Sequence, residues 1–168
     1  MSKSAVVIKG DGTGPELVDA MVNVLQECHS KIELIPCDAG SEWWTKNGGS
    51  SYISDEVWKL LEDSDACFKG PTTTIPTPNA PRSVAVSIRQ KFNLYANVRP
   101  IKTYKNSLHQ LDFVCIREAT EGLYSGIEFR IGDDAAIAVR KITRKSCENV
   151  VKHGFKVASE MKFKKIYV

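Results

Sequence analysis

Apolar positions fall in short runs and periodic stretches, separated by glycine, proline and polar clusters. Residues 5–9, AVVIK, read as a buried strand. The turn GDGTG (10–14) follows, and then a helix from about Pro15 to His29. Pro15 suits a first helical turn, and Glu16 complements the positive end of the helix dipole. Residues 32–36 alternate as a second strand. Ser54, with Asp55 and Glu56 behind it, is placed to cap a helix through Leu61. Ala66 to Lys69 is a short strand ended by Gly70-Pro71. The segment PTTTIPTPNAP then carries four prolines and four threonines; it cannot form regular structure, and so long a loop is usually functional.

Arg82 to Phe92 is helical by pattern, and Leu94 to Val98 is a strand ended by Arg99-Pro100. The run Phe113, Val114, Cys115, Ile116 reads as a buried strand within residues 112–116. Residues 122–142 hold two alternating stretches, GLYSGIEFRI and AAIAVRKIT, joined by Gly132-Asp133-Asp134: a hairpin with a longer turn than the two-residue ideal. Thr143 caps a helix to about Phe163, and the last residues, KKIYV, begin a further strand. Strand and helix alternate through the first hundred residues, which predicts a mainly parallel α/β sheet there. A domain seldom ends on an uncovered apolar strand, so the sequence reads as the N-terminal portion of a longer one.

Composition narrows the class. Of 168 residues 42% are hydrophobic and 26% charged, the balance of a soluble globular protein. No apolar run reaches the ~20 residues of a membrane span, and the N-terminus lacks the features of a signal peptide. A cytoplasmic location follows by default; a mature mitochondrial protein would look the same. The net charge is +3. The cluster Arg140, Lys141, Arg144, Lys145, Lys152 and Lys156 reads as a solvated helix face, and with no aromatic-rich strand beside it nucleic-acid binding is not expected. The five cysteines (28, 37, 67, 115, 147) form no CxxC pair, which implies free thiols; Cys67 and Cys115, in apolar runs, read as core residues. His29, His109 and His153 are too scattered for a metal pair.

The candidate chemistry lies at element ends. Arg89 sits in the helix after the long loop, Arg99 ends one strand and Arg117 another. Strand carboxyl ends are where α/β sheets bind ligands, and a guanidinium fork matches a carboxylate with two parallel hydrogen bonds. Three such forks would suit a substrate with two or three carboxylates. The competing reading pairs each arginine with an acid, Arg117 with Glu118 or Glu121. Tyr124 is either a core residue or a phenol held near a developing carbanion as general acid. GDGTG is neither GxGxxG nor a P-loop, and alone it means a tight turn into a helix. Thr72, Thr73 and Thr74 offer donors that could face a cofactor or plain solvent.

Taken in order, VVIKGDGTGPEL, KGPTTT, RSVAVSIRQKFNLYANVRP and IREATEGLYSGIEF resemble the β-decarboxylating dehydrogenases: the isocitrate, 3-isopropylmalate and homoisocitrate dehydrogenases. The most specific pieces are LYANVRP and RExTEGLYSG. The resemblance implies an isopropylmalate dehydrogenase-like two-domain α/β fold, incomplete in this chain. Residues 1–94 would belong to the large domain and 95–168 would open the small one, with hairpin 122–142 forming a homodimer. It implies oxidation of a 3-substituted (2R)-malate by NAD or NADP, then loss of the β-carboxylate, with Mg2+ or Mn2+ as the metal. Arg89, Arg99 and Arg117 match the arginines that hold the malate carboxylates, Tyr124 the tyrosine that protonates the enolate carbon, and Ser83 the serine that meets the γ-carboxylate. Thr73 and Thr74 fall where the family's loop approaches the nicotinamide. Two departures stand out. Ala85 occupies a position where isocitrate enzymes usually carry asparagine, although isocitrate still leads over homoisocitrate and isopropylmalate. The family's catalytic lysine and metal-binding aspartates have no counterpart here, so no metal ligand is named. The alternative to an enzyme is a non-catalytic subunit that binds a tricarboxylate and regulates a partner.

Overall fold

The computed structural model describes residues 3–77 and 80–168; Pro78 and Asn79 of the long loop lie outside the described residues. The chain divides into two compact units, Met1–Ser87 and Ile88–Val168.

The first unit is built on a parallel three-stranded sheet in the order β2-β1-β3: β1 (Lys3–Ile8), β2 (Ile32–Cys37) and β3 (Ala66–Lys69). Parallel neighbours need crossover connections. These are α1 (Gly14–Glu27) between β1 and β2, then α2 (Ser41–Asn47) and α3 (Asp55–Asp63) between β2 and β3. As the central strand, β1 is shielded on both faces, which is why its run Ala5, Val6, Val7, Ile8 is continuously apolar and buried. Val18 of α1 and Val57 and Leu61 of α3 complete that core with Tyr52 and Ile53. Ser54 caps α3 as its sequence implies, its Oγ accepting from the Val57 N–H at 3.3 Å. Helix α2 is not legible in SEWWTKN, which has no 3.6-residue apolar period. Contacts with the segment that follows hold it instead: Trp44 meets Tyr52 edge to face with centroids 5.6 Å apart, and the indole Nε1 donates to Gly49 O at 2.8 Å.

Helix α4 (Val84–Lys91) carries the chain from the first unit into the second, where β4 (Ala96–Lys102) and β5 (Asp112–Glu118) pair antiparallel. A 3-10 turn (Leu123–Ser125) leads to the hairpin β6 (Glu128–Ile131) and β7 (Ala135–Ala138), and α5 (Arg144–Glu160) follows and packs against β5. Thr143 caps α5 through the Ser146 N–H at 3.2 Å.

Four expectations change. The parallel sheet accounts for three strands, and the stretch at 96–102 joins an antiparallel pair instead. That strand runs through Pro100, whose missing N–H is tolerated because a two-stranded sheet is all edge. The strand Phe113–Ile116 is not buried and Cys115 is exposed, because β5 alternates and its small sheet shields one face only; Cys67 is exposed on β3, an edge strand of the parallel sheet. Residues 164–168 form no strand, and Ile166, Tyr167 and Val168 are exposed. In the hairpin only four residues per strand form the ladder. Its base is closed by the Gly122–Lys141 bridge, with the 3-10 turn occupying the stretch expected to be strand. No helix among the described residues is long and apolar enough to cross a membrane.

Candidate functional site

The second unit brings Arg89, Arg117 and Tyr124 together and sets Arg99 on the same sheet face as Arg117. In the β4–β5 register Asn97 lies opposite Arg117 and Arg99 opposite Cys115. Paired residues share a face, as do residues two apart, so Arg99 and Arg117 project from the same side of the sheet. Arg117 Nη2 donates to the phenol oxygen of Tyr124, and its guanidinium carbon lies 5.3 Å from the ring centroid. Arg89, from α4, places its guanidinium carbon 6.0 Å from the same ring. The next residue on α4, Gln90, donates through Nε2 to Tyr124 O at 2.8 Å, and the Tyr124 N–H donates to Glu121 O at 3.2 Å. The tyrosine is therefore fixed at its ring, its hydroxyl and both backbone groups.

None of the three arginines forms an ion pair with a carboxylate among the described residues. Arg99 donates from Nε to Asn97 Oδ1 at 2.9 Å. The acids next to Arg117 are committed elsewhere. Glu118 accepts from the Thr120 N–H and hydroxyl and the Glu121 N–H. Burial pushes the Glu118 carboxyl up, but the Thr120 hydroxyl and those two N–H groups outweigh it and leave it below the usual carboxylate range. Glu121 accepts from the Thr143 N–H and hydroxyl, each at 2.8 Å, with Lys141 Nζ at 3.8 Å. The pairing of Arg117 with Glu118 or Glu121 is thus not found. What remains is a group of cations whose mutual repulsion an anion of two or more carboxylates would relieve.

The first unit holds the other candidates. Ser83 caps α4, its Oγ accepting from the Val86 N–H at 3.3 Å, which leaves the hydroxyl proton available to an acceptor. Thr73 and Thr74 are exposed on the loop after β3. The residue that organises this end of the sheet is Asp11, in GDGTG. Its Oδ2 accepts from the N–H of Thr73 at 2.7 Å and of Ser41 at 3.1 Å, and its Oδ1 from the N–H of Glu42 at 2.9 Å. Burial pushes the Asp11 carboxyl up, but the N–H groups of Glu42, Thr73 and Ser41 outweigh that and hold it below the ordinary range. A side chain on Gly40 would meet that carboxylate at 2.6 Å, and one on Gly10 would strike Pro71 O at 2.0 Å. GDGTG and GPTTT therefore form one interlocked structure, with the Asp11 N–H donating to Pro71 O at 2.8 Å. The Gly12 N–H donates to Glu42 Oε1 at 3.0 Å, so an acid already takes a donor that a phosphate cradle would offer. Asp11 was not singled out from sequence because each of its partners lies at least 30 residues away.

The second unit thus holds a phenol fixed between two guanidinium groups, and the first a glycine-locked turn at its sheet. The comparisons give the family. Residues 4–168 match the isocitrate/isopropylmalate dehydrogenase model, and the chain belongs to that family. It is 36% identical, over 93% of its length, to a 3-isopropylmalate/3-methylmalate dehydrogenase of Methanocaldococcus jannaschii, covering 46% of that protein. It is 34% identical over 94% of its length to an isocitrate dehydrogenase [NADP] of Rickettsia bellii, covering 33% of it. It is 33% identical over 90% of its length to the mitochondrial isocitrate dehydrogenase [NAD] subunit 2 of Saccharomyces cerevisiae, covering 41% of it. The crystal structure of isocitrate dehydrogenase from Methylococcus capsulatus superposes with a TM-score of 0.86 at 35% identity, over 95% of this chain and 48% of that one. The fold is thus the mixed α/β fold of these dehydrogenases, and the chain spans a third to a half of the length of these relatives.

Proposed function

We propose that the chain is part of an enzyme that oxidises and decarboxylates a 3-substituted malate, isocitrate first among the candidates, with NAD or NADP. The observation that carries this is the Arg89–Tyr124–Arg117 cluster, with Arg99 on the same sheet face and no acid among the described residues neutralising it. Arg89, Arg99 and Arg117 hold the malate carboxylates. Tyr124 protonates the carbon left when CO2 departs. Its oxygen accepts from Arg117, so its own O–H proton is directed elsewhere, and the guanidinium compensates the negative charge that develops as the proton leaves. Ser83 donates its remaining hydroxyl proton to the γ-carboxylate, and Thr73 and Thr74 face the nicotinamide. A dinucleotide held at Thr73 and Thr74 would supply the acceptor for the hydride of the carbinol carbon. Among the described residues no group of three or more His, Cys, Asp or Glu could hold a metal ion, so no step is assigned to Mg2+ or Mn2+ on these residues.

A homodimer is part of the reading. Phe129, Ile131 and Ile137 of the hairpin are exposed, and free strand edges invite a second copy. The test follows reduction of NAD+ and NADP+ by the complete enzyme of which the chain is part, with isocitrate, homoisocitrate and 3-isopropylmalate, Mg2+ present. Fastest oxidation of isocitrate supports the proposal, and preference for another acid moves the substrate within the class. No reduction with any of the three overturns it; tricarboxylate binding without reduction would then assign a regulatory subunit, the reading that Ala85 favours.

A further inference from the structure

We infer that Asp11 and Tyr52 are positioning residues for the threonine loop, two buried side chains that hold it open-handed toward the dinucleotide. The inference rests on the cofactor reading of that loop given above. Both residues lie far from the loop in sequence and both are buried, Asp11 at 4% and Tyr52 at 1% exposure. Asp11 Oδ2 accepts from the Thr73 N–H at 2.7 Å, and the Tyr52 phenol oxygen accepts from the Ile75 N–H at 3.0 Å. Thr73 and Ile75 are two residues apart, and in extended backbone alternate amides face the same way. The intervening Thr74 amide is bonded to neither anchor. Among the described residues Thr74 makes no hydrogen bond, and its side chain is exposed. The loop is thus pinned through its inward amides, and its outward donors are kept for a ligand.

The two anchors are themselves joined. The Gly40 N–H donates to Tyr52 O at 3.0 Å, and Gly40 adopts φ +125° directly against the Asp11 carboxylate. Ser41 and Glu42, the next two residues, donate to Asp11. Trp44 packs edge-on against Tyr52, fixing the ring that carries the hydroxyl. A loop with several prolines and no secondary structure would otherwise sample many conformers. Holding it in one removes that entropy from the cost of cofactor binding.

Tyr52→Phe is the cleaner test, because it removes one oxygen and keeps the ring packing. Amide hydrogen exchange should show the Ile75 N–H losing protection while the Thr73 N–H keeps it. In turnover assays the KM for the dinucleotide should rise about threefold to tenfold, the size of one net hydrogen bond, with the KM for the organic acid unchanged. Asp11→Asn should give the complementary exchange pattern, Thr73 exposed and Ile75 protected, and raise the same KM. If Tyr52→Phe deprotects Ile75 and lowers the melting temperature but leaves the dinucleotide KM unchanged, the residue is merely structural and the inference falls while the dehydrogenase reading stands. If the complete wild-type enzyme reduces neither NAD+ nor NADP+, both fall together.

Discussion

Arg117 and Tyr124, seven residues apart, meet as donor and acceptor across the turn that follows β5, with the guanidinium carbon 5.3 Å from the ring centroid. The geometry uses one arm of the guanidinium fork and leaves the rest for a carboxylate. Arg117→Lys keeps the charge but gives a point donor on a flexible stem in place of a planar fork. The KM for the organic acid should rise about tenfold or more, the loss of one charge-assisted hydrogen bond, with a smaller fall in kcat. Steady-state kinetics with the acid varied at saturating dinucleotide checks this.

Tyr124→Phe separates two roles of the same ring. The phenylalanine retains the contacts with Arg89 and the backbone bonds to Gln90 and Glu121, so substrate affinity should be nearly unchanged. The proton donor is gone, and kcat should fall by about 100-fold or more, the usual contribution of a general acid. Unchanged kcat would mean that the proton arrives by another route.

The helices were legible where periodicity and caps agree. Ser54 and Thr143 each receive the amide three residues on, as their positions at helix starts imply. Helix α2 was not, because its two tryptophans form no stripe and it starts at a carboxylate 30 residues earlier in the chain. The site divides in the same way. Arg117 was named from the end of β5, since strand ends carry chemistry in α/β folds, but Arg99, expected to end its strand, lies within β4, and Tyr124 was singled out by the family resemblance alone. Asp11 and Tyr52 could not be named, because their partners are amides of distant loops and an amide has no signature in sequence. The pairing of Arg117 with Glu118 fails for a simpler reason: successive residues of a strand point to opposite faces. The apolar run at 113–116 misled because a run alone does not distinguish a two-faced strand from one covered on a single side.

Glu121 joins the turn bearing Tyr124 to the start of α5. It accepts the Thr143 N–H and hydroxyl, while the Thr143 Oγ accepts from Ser146. Glu121→Ala should cost about 1.5–3 kcal/mol of stability, the range for hydrogen bonds to a charged group. Thr143→Ala should cost about 1 kcal/mol through the lost cap and more through the lost bond to Glu121. The double variant should lose less than the sum of the two, because each single change already breaks the shared bond. Urea unfolding of the four proteins measures the coupling; strict additivity would show that the two groups act independently.

Asp11 gives the first unit a defined response to acid. Its folded carboxyl sits below the ordinary range: burial raises it, and the three amides facing it lower it by more. A group whose folded value is depressed stabilises the fold above its unfolded value, about 3.9 for aspartate, and that contribution is lost as pH falls through the folded value. The contribution should therefore be fully present at neutral pH and begin to fade as pH falls through about 4. Asp11→Asn replaces an acceptor oxygen by an NH2 group and cannot receive all three amides. The variant should be less stable than the wild type at neutral pH, and the gap should narrow as the medium is acidified. Denaturant midpoints of both proteins, taken at steps from neutral pH down to about pH 3, check the sign. A gap that widened on acidification would mean that the carboxyl is protonated more readily in the folded protein than in the unfolded one, contrary to its ring of amide donors.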